Sequence, residues 1–394
     1  MNDICGPDPQ AMYEAQFRLP GAWLLSEERR PTDGRPARVT SQLLVGAGDQ
    51  IHLEARYAPN GLRQFRASYH QNTGTDRPEP RLLAIASGDC TIHSGRTLRS
   101  EGPIWRYLDQ LDSDLSTVRW TETLQAPWPL GRDTGGVRVG LVDTGLAYDL
   151  PIFRTRLARD AQGVPLGYDF WDLDPHPYDG DVARGPFLPI RHGTAVASVI
   201  ALEAPDAALV PFRFPRPDMA RMGDLVRAAQ AADVRILAMP LGSNDPDDWT
   251  AFADAIAGTD ILAIISAGNN GRDIDQNPIW PAALGLGNAL VVTSSDARGR
   301  VADGSNWGVN TVDIMLPAEN VPVVDFRGAK GVTSGTSFAV PRLAALAARI
   351  LTREPDLSVE ELKARIASHA ITSPFASEPS VAVGWIPNPT TSLE

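Results

Sequence analysis

DLVRAAQAADVRILAMP, residues 224–240, holds a helix and a strand back to back. Residues 224–233 read as helix, and VRILAMP (234–240) as a short apolar strand bounded by proline. The same alternation follows at once. DWTAFADAIAG (248–258) is helical, with Gly258 at its end, and DILAIIS (260–266) is a strand. Working outward, VRVGLVD (137–143), AALVPFR (207–213) and ALVVTSS (289–295) are further buried strands. SFAVPRLAALAARIL (337–351) is an apolar, alanine-rich helix, and SVEELKARIASH (358–369) a surface helix capped by Ser358. Strands alternating with helices predict an α/β fold, a mostly parallel sheet covered on both faces.

Residues 1–110 follow another pattern. In QIHLEARY (50–57), Ile51, Leu53, Ala55 and Tyr57 share one face, and His52, Glu54 and Arg56 the other, which predicts a half-buried strand. APNG (58–61) is a turn, LRQFRASYH a return strand, and RVTSQLLV (38–45) a further strand. NTGTDRPEP (72–80) reads as a loop. Three regions are expected: a smaller β-rich domain over 1–110, a linker over 111–136, and an α/β domain over 137–394.

The 394 residues are 43% hydrophobic and 21% charged, an ordinary globular mixture. A formal net charge of −12 argues against nucleic acid or an anionic membrane as partner. Only Lys330 and Lys363 are lysines, a bias toward arginine that suggests a GC-rich bacterial source. Cys5 and Cys90 could pair, but two cysteines are not a disulfide framework. MNDICGPDPQ lacks a signal peptide's basic and apolar regions, and no run has membrane-spanning length. The expected location is therefore the cytoplasm.

Three positions carry chemistry. Asp143 ends the strand VRVGLVD, and in parallel sheets sites gather at the carboxyl ends of strands. His192 opens RHGTAVASVIALE, where the small residues Gly193, Ala195, Ala197 and Ser198 would let a helix pack closely. At a helix start, the dipole is expected to disfavour its protonated form. His52, His70, His93, His176 and His369 have no such framing. Ser337 follows Gly335 in SGTSFAVP (334–341), where a helix start offers free N–H groups to an oxyanion. Pro341 is expected in the first turn, where its missing N–H costs little. Taken singly, a turn-capping aspartate, a buried histidine and an N-cap serine are ordinary. Together, the order Asp143, His192, Ser337 is one of the chain orders known for Ser-His-Asp triads.

LVDTG, RHGTAVAS and SGTSFAVP resemble the aspartate, histidine and serine motifs of the subtilisin-like serine proteases, the subtilases. GYDFWDLDPHPYDGD (167–181), ILAMPLGS (236–243) and IISAGNNG (264–271) resemble further segments of that family, over roughly residues 115–390. The resemblance implies an endopeptidase whose catalytic residues are Asp143, His192 and Ser337, with Asn269 in the oxyanion hole. It implies a substrate pocket at Leu241, Gly242, Ser266, Ala267 and Gly268, and a protein or peptide substrate bound as an added strand. With no charge offered there, a small or apolar P1 side chain is expected. A catalytically silent subtilase-fold scaffold, or a binding protein acting through its N-terminal domain, is the alternative.

The sequence departs from the family's pattern. Ala195 stands in place of a second histidine, Ser198 in place of glycine, and Pro240 in place of the serine of a Ser-Leu-Gly strand. Phe338 and Val340 stand where Met and Thr are usual, and VARGPFLPIR (182–191) is longer than the resemblance leads one to expect. Asp169, Asp172, Asp174, Asp179 and Asp181 suit calcium by ligand type but do not have EF-hand spacing, so a solvated acidic loop is expected and no cofactor, with calcium the weaker reading. The N-terminal region is expected to be a retained recognition domain, with its own possible partner. A propeptide, cleaved in the linker near 110–136, is the other reading.

Overall fold

The computed structural model describes residues 5, 19, 21–32, 35–75, 77–101, 104–183, 185–216, 218–375 and 379–391. The chain divides into two compact units. The first comprises Met1–Gln125 together with Val182–Pro189, and the second Ala126–Asp181 together with Ile190–Glu394.

The first unit is an antiparallel meander of eight strands in sequence order: β1 (Trp23–Thr32), β2 (Arg35–Val45), β3 (Asp49–Ala58), β4 (Gly61–Gln71), β5 (Glu79–Ser87), β6 (Ile92–Glu101), β7 (Ile104–Leu111) and β8 (Val118–Thr123). Strand alternation divides its side chains. Val39, Leu43, Leu53, Ala55 and Phe65 fill one core, which Cys5 joins through a disulfide to Cys90. On the other face Thr40 opposes Glu54, and Glu54 opposes Arg66. There the Glu54 carboxylate meets Arg56 at 2.5 Å, Arg38 at 2.7 Å and Arg66 at 3.4 Å. The expected boundary at 110 falls inside this sheet, because Val118–Thr123 pairs with β7. Residues 112–117, expected in the linker, form the turn between those two strands.

The second unit runs β9 (Arg138–Asp143), α1 (Pro151–Arg154), β10 (Tyr168–Asp169), α2 (Gly193–Glu203), β11 (Ala208–Arg213), α3 (Met222–Ala231), β12 (Ile236–Met239), α4 (Thr250–Ile256), β13 (Leu262–Ser266), β14 (Ala289–Ser295), β15 (Ile314–Pro317), β16 (Val321–Val324), β17 (Lys330–Thr333), α5 (Thr336–Arg353), α6 (Val359–Ala367) and β18 (Gly384–Trp385). Its main sheet has the order β10-β11-β9-β12-β13-β14-β15-β18, and every adjacent pair is parallel. Burial on both faces explains the unbroken apolar runs that announce these strands. Val139 and Leu141 pack with α2 and α5 on one face, while Val142 packs with α3 and α4 on the other. Strand order reverses between β9 and β12, the place where open α/β sheets leave a crevice.

Pro341 lies inside α5, not in its first turn, because the helix begins at Thr336. Its missing N–H therefore deprives the Ser337 carbonyl of an i→i−4 partner. Ser358 caps α6 as expected, in a reciprocal capping box with Glu361.

Candidate active site

Asp143 is the last residue of β9 and is 3% exposed. It shares strand parity with Val139 and Leu141, so it faces the side of the sheet that carries α2 and α5. His192 is the N-cap of α2, and its Nδ1 lies 2.8 Å from both carboxylate oxygens of Asp143. The start of this helix is tied down from below. Thr144 Oγ1 accepts the Gly193 N–H at 2.9 Å and the His192 N–H at 3.1 Å, and donates to Asp179 Oδ1 at 2.6 Å. Asp179 Oδ2 accepts the Thr194 N–H at 3.0 Å. A fully buried carboxylate thus serves the orphan amides of the helix, a duty an N-cap side chain normally performs. Gly193 is obligatory, since a Cβ there would fall 2.0 Å from the Gly145 carbonyl oxygen.

The electrostatics reverse the expectation from the helix dipole. Burial of the ring pushes the His192 pKa down, but attraction to Asp143, their hydrogen bond and the charge of Asp179 outweigh it. The net shift is upward, because two carboxylates at close range outweigh a dipole's partial charge. Burial also raises the carboxyl of Asp179 above the usual range, against the pull of Arg191 and its own hydrogen bonds.

Ser337 stands on the first turn of α5 behind Gly335, whose φ of +129° favours glycine. Its hydroxyl donates to the Pro240 carbonyl at 3.4 Å. Its N–H, near the helix start, has no intrahelical acceptor. The His192 ring lies beside Phe338, with centroids 5.8 Å apart. Among the described residues no hydrogen bond joins Ser337 to His192. Such bonds often tighten only when substrate is present.

Asn269 follows β13 by three residues, and its Oδ1 accepts both the N–H of Thr336 at 2.9 Å and its hydroxyl at 3.0 Å. Those bonds fix the amide's orientation and leave the Nδ2 donor for a ligand. Asn306 braces the same turn, giving its Nδ2 to the Ala267 carbonyl at 2.7 Å and accepting the Asn270 N–H at 2.9 Å.

Ser337 and Asn269 line a cleft of about 630 Å³ with Leu241, Gly242, Ser266 and Gly268. Ala267 does not face it. It continues the parity of Ala263 and Ile265 and is buried in the core with them. Gly242 could not carry a side chain, because its Cβ would meet the Trp280 carbonyl at 2.7 Å. The expected absence of charge is not what the cleft shows: Arg216 and Asp248 also line it, beside Phe214, Met219 and Ile279.

The aspartates of 169–181 are not a solvated loop. Asp169, Asp179 and Asp181 are buried. Asp169 bonds Arg213 at 2.8 Å and the N–H groups of Trp171 and Asp172, and burial pushes its carboxyl up to about 6. Among the described residues no group of three or more His, Cys, Asp or Glu is placed to hold a metal ion. Ser198 has its own structural task, accepting the Val324 N–H at 2.9 Å from β16. Sequence reasoning missed the parts of Thr144, Asp179 and Asn306. Thr144 stands beside Asp143 in LVDTG, but nothing in the sequence brings Asp179 or Asn306 to the site.

The profile of the Subtilase family, peptidase S8, matches residues 134–385, more than half of the chain. The chain belongs to the subtilase family. It is 26% identical over 242 residues to the thermophilic serine proteinase of Bacillus sp. strain AK1, covering 57% of this chain and 55% of that one. It is 28% identical over 285 residues to the intracellular serine protease of Paenibacillus polymyxa, covering 66% and 82%. Against the AK1 proteinase, then, the chain spans about half of its relative's length. The crystal structure of a lanthipeptide protease aligns at a TM-score of 0.53 and 20% identity, covering 64% of this chain and 86% of that one. That of a cold-adapted subtilisin-like serine proteinase aligns at 0.53 and 24%, covering 67% and 93%. These likenesses establish the subtilisin-like fold of the second unit. Among the described residues no helix is long and apolar enough to cross a membrane.

Proposed function

We propose that this chain is a serine endopeptidase that cleaves peptide bonds through an acyl-enzyme. The observation that carries the reading is the clamp of His192 on buried Asp143, next to a cleft lined by Ser337 and Asn269. Ser337 Oγ attacks the scissile carbonyl, and His192 Nε2 takes its proton. Asp143 holds the Nδ1–H tautomer and stabilises the imidazolium. The Asn269 Nδ2 and the Ser337 N–H receive the oxyanion. His192 returns the proton to the leaving amine, and water then releases the acyl group by the same path. The substrate is a protein or precursor peptide, extended along the cleft beside Leu241 and Gly242. The apolar walls from Phe214, Met219 and Ile279 suit an apolar P1 side chain.

The β-rich first unit is a retained recognition domain in this reading. Supporting it, residues 182–189 of the main chain belong to that unit, so shedding the N-terminal segment would strip the cover from Phe187. The likeness to the P. polymyxa enzyme supports cytoplasmic work, while the Cys5–Cys90 disulfide speaks for an oxidising compartment. Alkylating thiols in intact cells before lysis decides between them.

Intact mass spectrometry with a fluorophosphonate probe tests the enzyme reading. One adduct on Ser337, absent from Ser337→Ala, is expected, and the starting mass reports self-cleavage. Folded protein that takes no adduct would instead support the silent scaffold.

A further inference from the structure

The cleft beside Ser337 carries one arginine, Arg216, and one aspartate, Asp248. The two are employed differently. Asp248 Oδ2 accepts the Ser243 hydroxyl at 2.7 Å, and that hydroxyl oxygen accepts the Trp249 indole N–H at 3.0 Å. The carboxylate is thereby committed to fixing the chain that follows Gly242. Arg216 has no such task. Its neighbouring arginines in the chain, Arg213, Arg221, Arg227 and Arg235, pair with Asp169, Asp218, Asp224 and Asp260 in turn. Among the described residues, the Arg216 guanidinium has neither an ion pair nor a hydrogen bond, and the residue is exposed. The sequence sets it between prolines, in FPRPD (214–218). A following proline restricts a residue's backbone to extended forms, so less freedom is lost when the side chain engages a ligand.

The sheet sets which substrate residue Arg216 meets. Arg216 stands three residues beyond the end of β11, and Asn269 three residues beyond the end of β13. Between those strands lie β9 and β12. Strand spacings of about 4.8 Å then separate the two positions by about 14 Å, which an extended peptide covers in about four residues. Leu241 and Gly242, just past β12, lie on the way. The P1 side chain enters this same cleft, so the residues running toward Arg216 are those on the acyl side of the scissile bond. A free guanidinium grips a carboxylate through two parallel hydrogen bonds. We infer that Arg216 is a specificity residue, selecting substrates with aspartate or glutamate at P3 or P4, upstream of an apolar P1 residue. The inference rests on the endopeptidase reading and deepens it by naming the class of segment that is cut.

The test uses the full-length chain and internally quenched peptides with alanine, leucine or phenylalanine at P1. A single glutamate is walked from P5 to P2, each peptide beside its glutamine counterpart. Glutamate at P3 or P4 is expected to raise kcat/KM about tenfold over glutamine, the scale of one hydrogen bond to a charged group. The gain should shrink as salt rises. In Arg216→Ala the two rates should become equal, and in Arg216→Glu lysine at that position should overtake glutamate. A glutamate preference that survives Arg216→Ala would overturn the proposal, as would a wild-type preference for lysine. The fluorophosphonate probe separates the two levels. If the wild type labels at Ser337 yet cuts glutamate peptides no faster than glutamine ones, only the role of Arg216 falls. If it neither labels nor cuts, the endopeptidase reading falls, and the specificity with it.

Discussion

His192 Nδ1 sits astride the Asp143 carboxylate, 2.8 Å from each oxygen. This pairing, helped by Asp179, leaves the His192 pKa above 6.5. Because the imidazole must be neutral to accept the serine proton, kcat/KM should fall as pH drops through a value above 6.5. Asp143→Asn should move that limb to lower pH and reduce kcat by about 10⁴. The stability linkage has the opposite sense. A raised histidine pKa stabilises the fold fully below pH 6.5, and that contribution fades as pH climbs through the folded-state pKa. Rate profiles and thermal melts across pH check both.

Asn269 presents its Nδ2 because Thr336 occupies its oxygen. Asn269→Ala should lower kcat by about 10² to 10³, the typical loss for one oxyanion donor, with little change in KM. An undiminished kcat would remove the residue from the oxyanion hole.

Gly193→Ala drives a methyl group into the Gly145 carbonyl. Backbone must move, at a cost of about 1–3 kcal/mol, and the residue that moves first adjoins His192. Thermal unfolding should show the loss, and probe labelling a steep decline.

Asp179→Ala strips acceptors from the Thr144 hydroxyl and the Thr194 N–H in a buried place. Two unsatisfied donors should destabilise the second unit by about 2–4 kcal/mol. Urea titration monitored by tryptophan fluorescence measures it.

The Cys5–Cys90 bridge spans 85 residues. A loop of that length corresponds to about 4–5 kcal/mol of chain-entropy stabilisation. Calorimetry with and without reductant should show the β-rich unit melting earlier in reductant, and the second unit unchanged.

Much of this architecture was legible because it depends on local pattern. The strands ending at Asp143, Met239 and Ser266 are apolar on both faces, and the helix after Gly335 announces itself by composition. The short strands β10, β15 and β18 escaped because two to four residues carry no period. The β8 strand reads as linker because only Glu122 of its six residues is buried. Ala267 reads as part of a continuous pocket wall, but it is buried in the core with Ala263 and Ile265. Asp179 could not be found from sequence at all. Its role depends on a loop folding back 35 residues to meet Thr144.

The way the chain crosses between its units bears on how it can be divided. Removing residues 1–110 would cut the meander after most of β7 and leave β8 as an orphan edge. Cutting at 125 respects the strands but leaves Phe187 behind, an oily finger without its glove. A minimal catalytic unit therefore needs two excisions: one at Gln125, and one that trims Val182–Pro189 and closes the chain across the antiparallel Asp181–Ile190 bridge with a tight turn.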